Sequence, residues 1–432
     1  MSKNLKLFLG VALLFVATGF LMSWNQALFV LNFAMVSAIM ALGVNIQWGY
    51  AGLFNTGVMG FAALGGLSVA LVATPPVREA WSVGGGGILG GLLIGLATIA
   101  LAVTLWKRMA KGRKRSLTML VVLVGGFILF RWVFDPAVTA VEAINPSITG
   151  NLGGFGLPVL LAWPLGGLLA AGAAWAIGKT ALGLRSDYLA IATLGIAEII
   201  IAVMKNEDWL ARGVKMMNMA QRPWPVPYEV NLQRNETFLS LANSMGFDPV
   251  TGSSIFVKLV YLVMILIVLA LVIWLSERAL NSPWGRMMRA IRDNEDAARA
   301  MGKDVTRRHL QVFILGSAVI GIAGAILTSM DGILNPGTYQ PLRFTFLIWV
   351  MVIVGGSGNN WGAVLGAMLI GWLWLMVEAL GPQVMSLVTA GLSEGPLKAH
   401  LVDSAQHMRL LTLGVILLLV LRFSPKGLLP EK

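Results

Sequence analysis

The 432-residue chain contains no cysteine. Disulfides and thiolate-held metals are therefore excluded, and nothing follows about redox compartment. Charge is scarce as well. Asp, Glu, Lys and Arg make up 12% of the residues, against about 25% in a soluble domain. There are only three histidines. No His-Glu-x-x-His and no Gly-x-Ser-x-Gly occurs, so common hydrolase motifs are missing. The stretch 173–180, AAWAIGKT, loosely fits a phosphate loop. Such a loop is a turn between a strand and a helix, whereas here it ends an apolar run. His400, Asp403 and His407 share a face if that segment is helical. Metal ligation is conceivable there, and an interfacial helix leading into the last apolar run is the simpler reading. His309 stands alone and is read as structural.

What the chain has is apolar length. Hydrophobic residues reach 57% and the mean hydropathy is +0.78. Candidate spans are 5–22, 28–47, 52–73, 88–106, 117–134, 159–178, 188–204, 255–275, 309–329, 344–354, 362–378 and 409–422. A crossing needs about 20 apolar residues. The expected fold is all-α, a polytopic transmembrane bundle of roughly 10–12 helical segments, some broken or re-entrant. It is read as one domain over 1–432, with loops at 276–308 and 205–254. The run from Lys3 to Met22 lacks an Ala-x-Ala-like site and is read as an uncleaved first span. The run 344–354 is too short to cross alone, since eleven residues rise about 16 Å. It is expected to form a hairpin with 362–378 through the glycine-rich 355–362 turn.

The formal charge is +12. The basic residues sit mainly in short loops beside apolar runs, which is the positive-inside pattern rather than a nucleic-acid surface. With the N-terminus inside, the loop holding Lys107, Arg108, Lys111, Arg113, Lys114 and Arg115 falls inside. So do Lys179 and Arg185, the 276–308 loop, and the tail with Lys426 and Lys432. The loop 135–158, without Lys or Arg, falls outside. Both termini are then cytoplasmic, and 205–254 is external by parity.

The most charged stretch lies between two long apolar runs, at 282–310. Ser282 can cap a helix with Pro283 at its first position. Gly302 supplies a left-handed stop, and Asp304 can cap the next helix. The spacing predicts a helix over 283–301, about four turns. Met287, Ile291, Ala298 and Met301 make its apolar stripe. Arg289/Asp293, Arg292/Asp296 and Glu295/Arg299 are i,i+4 pairs. Such a helix offers a surface for another protein, or is simply a solvated face.

Glu198 sits mid-span, where an ionisable group must be paired or wet. Thr193 and Gly195 precede it, and Gly195 would allow close helix approach. Asp187 suits the N-cap of that span and Tyr188 a membrane interface. Asn45, Asn55 and Thr56 flank a glycine-rich run and need partners at membrane depth. Asn55-Thr56-Gly57, Gly60 and Gly65 are echoed by Asn360-Trp361-Gly362, Gly366 and Gly371. Transport folds often contain repeats with broken spans.

The order Gly285-Arg286, Arg289-Ala290-Ile291-Arg292, Glu295, Ala297-Ala298, Gly302 resembles the coupling loop of bacterial ABC-importer permeases. It is most similar to the M-type permease subunit of branched-chain amino-acid importers. Leu184-Arg185-Ser186-Asp187-Tyr188-Leu189-Ala190-Ile191-Ala192-Thr193-Leu194-Gly195, then Glu198-Ile199, resembles that family's LRGDYLAIVTLGFGEI segment. Val354-Gly355-Gly356-Ser357-Gly358-Asn359, then Gly362, resembles its LGGMGS turn. The stretch 423–430, FSPKGLLP, resembles its RPQGLLP ending. The resemblance implies a permease of the bacterial inner membrane, not an enzyme. It implies a second related permease, two ATP-binding subunits that hold the ATP and magnesium, and an external substrate-binding protein. No cofactor is expected on this chain. The residues it puts forward for coupling are Arg286, Met287, Ile291, Arg292, Met301 and Gly302. From their polarity at membrane depth rather than from the resemblance, Asn55, Thr56, Thr193 and Glu198 are the candidates for the translocation path.

Two departures leave the substrate open between branched-chain amino acids and urea or short amides. The family's GHAAFF-like residues are replaced by Asn55-Thr56-Gly57-Val58-Met59-Gly60-Phe61, and its TGGPNGI-like stretch by 211–217, ARGVKMM. An ion-coupled secondary transporter is the rival reading. It needs ionisable groups near the bilayer midplane, and only Glu198 and Glu378 offer themselves.

Overall fold

The computed structural model describes residues 3–145, 150–183, 186–218, 225–391 and 395–431. Leu184, Arg185 and Lys432 of the sequence argument lie outside them. Among the described residues, nine helices are long and apolar enough to cross a membrane. They are α1 (Lys3–Leu21), α2 (Trp24–Val44, prolonged by a turn to Gly49), and α4 (Gly86–Arg108, entered through 78–85). The series continues with α5 (Arg113–Glu142), α6 (Val159–Ala181), α7 (Ser186–Asn206), α8 (Pro249–Leu280), α11 (Val305–Asp331) and α13 (Asn360–Val388). Two shorter apolar helices, α3 (Val58–Ala73) and α12 (Pro341–Gly355), join them, as does α14 (Met408–Phe423) at the end of a bent pair. The all-α bundle expected from the apolar runs is what the chain forms.

At the centre is α11, which packs against α6, α3 and α2. Its sequence GSAVIGIAGAIL is made of small residues at helical spacing. Lipid tails are as apolar as leucine, so membrane helices associate through close packing instead. A Cβ on Gly65 of α3 would lie 1.9 Å from the Gly321 carbonyl oxygen, and one on Gly324 would lie 2.0 Å from that of Ala62. Several buried polar groups at this centre are paired, while Asn32 Oδ1 of α2 and His309 Nε2 of α11 are buried without a partner. Trp163 Nε1 donates to Ser329 Oγ at 3.1 Å, and Tyr261 OH to the Ser329 carbonyl at 2.7 Å. By contrast α4 and α5 pack mainly on each other, and Leu93, Leu96, Ile99, Val121, Phe127 and Ile128 of that hairpin face outward.

The glycine-rich turn joins α12 to α13 as an antiparallel hairpin. Gly355 lies against Gly362, and Met351 against Gly366. The helix 341–355 is longer than its apolar run because Pro341 starts it early. Phe8 of α1 meets the Trp361 ring at 6.1 Å, and Glu431 meets Arg292. Both termini therefore lie at one end of the bundle, the basic end.

Three expectations change. The 52–73 run is helical only from Val58, because 52–57 is irregular and begins with Gly52 at φ +70°. The segment 283–301 is two helices, α9 (Pro283–Asp293) and α10 (Glu295–Ala300). Asn294 breaks them with an extended backbone, φ −156°, and its side chain accepts from the Ala297 amide to cap α10. Asp187 lies inside the first turn of α7 rather than at its cap. The 205–254 segment is folded, with short helices Asp208–Ala211, Glu229–Leu232 and Glu236–Ser244. It also carries strand β1 (Met217–Asn218), antiparallel to β2 (Ile333–Leu334). That pairing ties 211–218 to the end of α11 opposite the basic end.

Candidate functional site

The site begins where α2 loosens. Residues Asn45–Gly49 continue it as a π turn, a form that concentrates at functional sites. This turns the Gln47 side chain inward. Its Nε2 donates to the Phe313 carbonyl and to Ser317 Oγ, each at 3.0 Å, and its Oε1 accepts from Asn55 Nδ2 at 2.8 Å. Asn55 Oδ1 accepts from the Gly57 amide at 2.8 Å, and Trp349 Nε1 donates to the Asn55 carbonyl at 3.0 Å. The Thr56 amide donates to Thr193 Oγ1 at 3.1 Å, and Thr56 Oγ1 to the Ala190 carbonyl at 2.5 Å. Asn55, Thr56 and Thr193 are thus brought together around one helix break. Irregular backbone at membrane depth survives only with such partners. Asn55 and Thr193 are buried and bonded, and Thr56 is half-buried. The rings of Trp48 and Phe54 flank Trp349, with centroids 4.9 Å and 4.5 Å away. This aromatic cluster escaped the sequence reading; its signal was three aromatics in glycine-rich or broken spans.

Glu198 stands apart from that group. Five residues along α7 turn about 140° around the axis. Thr193, Ala197, Ile201 and Met204 face the core, while Tyr188, Ile191, Gly195, Glu198 and Ile199 face outward. A Cβ on Gly195 would meet nothing within 4 Å. Among the described residues no bond to the Glu198 carboxylate is formed.

The charged helices divide by face. Ser282 caps α9, accepting from the Gly285 amide, and Asp304 caps α11, accepting from the Arg307 amide. Gly302 adopts φ +77°, the left-handed stop that its position requires. Met288 and Ile291 are 0% and 1% exposed and belong to this chain's own core. Met287 is partly buried against the same core. Ile291 is therefore not offered to a partner, contrary to the stripe read from spacing. Met301 is 79% exposed, and Arg286, Ala290, Ala297 and Ala300 are also exposed. Of the three i,i+4 pairs only Arg299–Glu295 closes, at 2.6 Å.

Arg292 is engaged elsewhere. Its Nη1 donates to Glu431 Oε2 at 2.8 Å and also to the Gly49 carbonyl at the end of the π turn. Burial opposes its charge, yet the Glu431 and Asp293 carboxylates outweigh that and hold its pKa above the ordinary value. The tail bearing Glu431 runs along the end of α12. The Leu428 and Leu429 amides donate to the Val354 and Gly355 carbonyls at 2.9 Å, and Asn359 Nδ2 to the Pro430 carbonyl at 3.2 Å. Asn45 joins the two broken hairpins. Its Oδ1 accepts from the Gly358 amide at 2.9 Å and its Nδ2 donates to Asn360 Oδ1 at 3.2 Å. Tyr50 OH donates to the same oxygen at 2.9 Å, and burial first, then Glu277, keep its phenol protonated by raising its pKa. The echoed Asn-x-Gly segments therefore start the second helix of each broken pair, and the two breaks are bonded to each other. Among the described residues no group of three metal-ligating side chains occurs. His400 lies in a short helix, Pro396–Asp403, that ends before His407.

Comparison with known proteins identifies relatives of this chain. Residues 121–421 match the family model described as branched-chain amino acid transport system / permease component. The chain is 30% identical over 284 residues to the high-affinity branched-chain amino acid transport system permease protein LivM of Salmonella typhimurium, covering 64% of this chain and 58% of that one. It is 25% identical to the probable branched-chain amino acid transport permease protein LivM of Methanocaldococcus jannaschii, covering 91% and 90%. It is 23% identical to the ribose import permease protein RbsC of Haemophilus influenzae, over 60% of this chain and 74% of that one. The match thus spans little more than half of the Salmonella relative. No solved structure matches. With the family model covering most of the spans and the break, hairpin and loop helices in place, the chain belongs to the branched-chain amino acid transport system permease family.

Proposed function

We propose that this chain is the membrane-spanning permease subunit of an ATP-driven ABC importer that carries branched-chain or similar amino acids. A second, related permease completes the path. Two ATP-binding subunits hold the ATP and magnesium, and an external binding protein delivers substrate. The basic end faces the cytoplasm of a bacterial inner membrane, in keeping with Lys107, Arg108, Lys111, Arg113, Lys114 and Arg115 there. The observation that carries the reading is mechanical. Helices α9 and α10 project from the basic end, and through Arg292 they are bonded to both the π turn of α2 and the α12–α13 turn with its tail. A push on the exposed Met301, Ala297 and Arg286 surface is transmitted to the two breaks at once.

Glu198 supports the second permease. An outward-facing acid at mid-span costs about 2.5–3.5 kcal/mol or more if lipid covers it. With Gly195 leaving room for close approach, the outward face of α7 is better covered by protein and a wet path. Co-expression of the chain with candidate ATP-binding subunits tests the reading. Their co-purification, with hydrolysis stimulated by loaded binding protein, is the expected result. A chain that purifies alone and drives uptake from an ion gradient overturns it.

A further inference from the structure

At the basic end a slot of about 310 Å³ opens between α8 and α11. Val272 and Leu275 of α8, Leu315 and Val319 of α11, and Ile46 and Tyr50 at the π turn line it. Leu280 and Trp284 line its end nearest the loop helices. The cavity at the opposite end of the bundle, about 290 Å³, has charges on its wall, Asp331 and Arg343 among them. No charged residue lines the slot. Leu275 and Leu315 are 51% and 50% exposed, so the slot opens sideways, toward the bilayer. From Val272 to Leu280 a helix rises about 12 Å, and one leaflet of the hydrocarbon core is about 15 Å deep. The slot therefore has the depth of an acyl chain in the leaflet at the basic end. It is not made for another helix: α8 and α11 still meet, and a helix is about 10–12 Å across.

Two guanidiniums stand at the foot of the slot. Arg308 Nη1 donates to Gln311 Oε1 at 3.1 Å, and Trp284 Nε1 donates to the same oxygen at 3.2 Å. Arg289 Nη2 donates to the Leu280 carbonyl at 3.3 Å. A guanidinium carries five N–H donors. Among the described residues each of these two makes one hydrogen bond and no ion pair. Glu277, the acid of this part of α8, is engaged by Asn360 Nδ2 at 3.0 Å. Trp284 has the amphipathic ring that suits the level of lipid headgroups. We infer that the slot holds one acyl chain of an anionic phospholipid, with its phosphate on Arg289 and Arg308. The apolar wall and the two cations are one hydrogen bond apart, and such a lipid has both parts. Arginine is also the donor whose planar fork fits a phosphate. The acyl chain rests against Ile46 and Tyr50, so the lipid braces the helix break that Arg292 also holds. Binding does not depend on the importer reading.

The test titrates the full, delipidated chain with palmitoyl-oleoyl phosphatidylglycerol, read by native mass spectrometry. A first adduct that saturates at one lipid per chain is expected. Phosphatidylcholine with the same acyl chains is neutral overall. It should bind at least about tenfold more weakly, as for loss of a charged hydrogen bond. Glycerol phosphate, which has the phosphate without the chains, should form no adduct. Equal binding of the two lipids, or an adduct with glycerol phosphate, overturns the proposal, and neither result depends on a variant that folds. Arg289→Gln combined with Arg308→Gln, at unchanged melting temperature, should abolish the preference for phosphatidylglycerol. A preference that survives that change overturns the placing of the phosphate. The location is read in native membranes, where any neighbouring subunit is present, with a phosphatidylglycerol carrying a photoreactive group in mid-chain. Label should appear in 272–284 and 311–319. Label confined to other segments means that protein or nothing fills the slot, and overturns the proposal.

Discussion

Arg292 Nη1 donates to the carboxylate of Glu431 at 2.8 Å, joining a loop helix to the chain's last described residue. The same nitrogen bonds the Gly49 carbonyl. One guanidinium therefore binds the charged helices, the end of α2 and the tail into a single unit. Both side chains are about three-quarters buried, at 25% and 28% exposure. A charged hydrogen bond in such a setting contributes about 1.5–3 kcal/mol, less some solvent screening.

Arg292→Ala and Glu431→Gln should each lower the melting temperature of the detergent-solubilised chain. In a double-mutant cycle their effects should be non-additive by on the order of 1 kcal/mol. Strictly additive effects would remove the bond from the account. Arg292→Ala should also lower uptake more than ATP hydrolysis, since it frees the push from the helix breaks.

The two faces of the loop helices should respond differently. Ile291→Asp buries an unpaired charge in the core and should destabilise the chain by more than about 3 kcal/mol, reducing its amount in the membrane. Met301→Asp should leave amount and melting unchanged and weaken capture of the ATP-binding subunits several-fold. Equal behaviour of the two variants in both measurements contradicts the assignment of faces.

Much of this was legible in the sequence. Hydropathy placed all twelve apolar segments, and Ser282, Gly302 and Asp304 marked helix boundaries that the structure keeps. The facing of the loop stripe was not legible. A helical wheel finds Met287 and Ile291 on one side but does not say whether that side meets its own bundle or a partner. Asn294 looked like an ordinary helix residue, and its capping of α10 shows only in the backbone. Arg292 was read against Asp296 by local spacing, while its partner Glu431 lies 139 residues away. The cavity lined by Asp331 and Arg343 gave no local signal, because six helices and the turn before α12 assemble it.

Glu198 should prove functional without being structural. It touches nothing in this chain's core, so Glu198→Gln should leave melting unchanged and reduce uptake. A cysteine pair formed by Ile191→Cys and its counterpart on the second permease should cross-link under oxidant. Full uptake by Glu198→Gln, together with no cross-link across the outward face of α7, would place lipid there instead.

Orientation can be read with single cysteines, since the chain has none of its own. Ser116 and Ser240 are both exposed, at opposite ends of the bundle. In intact cells an impermeant thiol reagent should label Ser240→Cys and spare Ser116→Cys. The reverse pattern inverts the topology and places the basic end outside.

The central claim is that ATP, through separate subunits, drives uptake through this chain. The direct measurement is leucine uptake in cells carrying the complete system, with an uncoupler added while cellular ATP is held high. Uptake should persist, and should fail when ATP is depleted with the membrane potential maintained. Uptake that collapses with the uncoupler and survives ATP depletion would contradict the account.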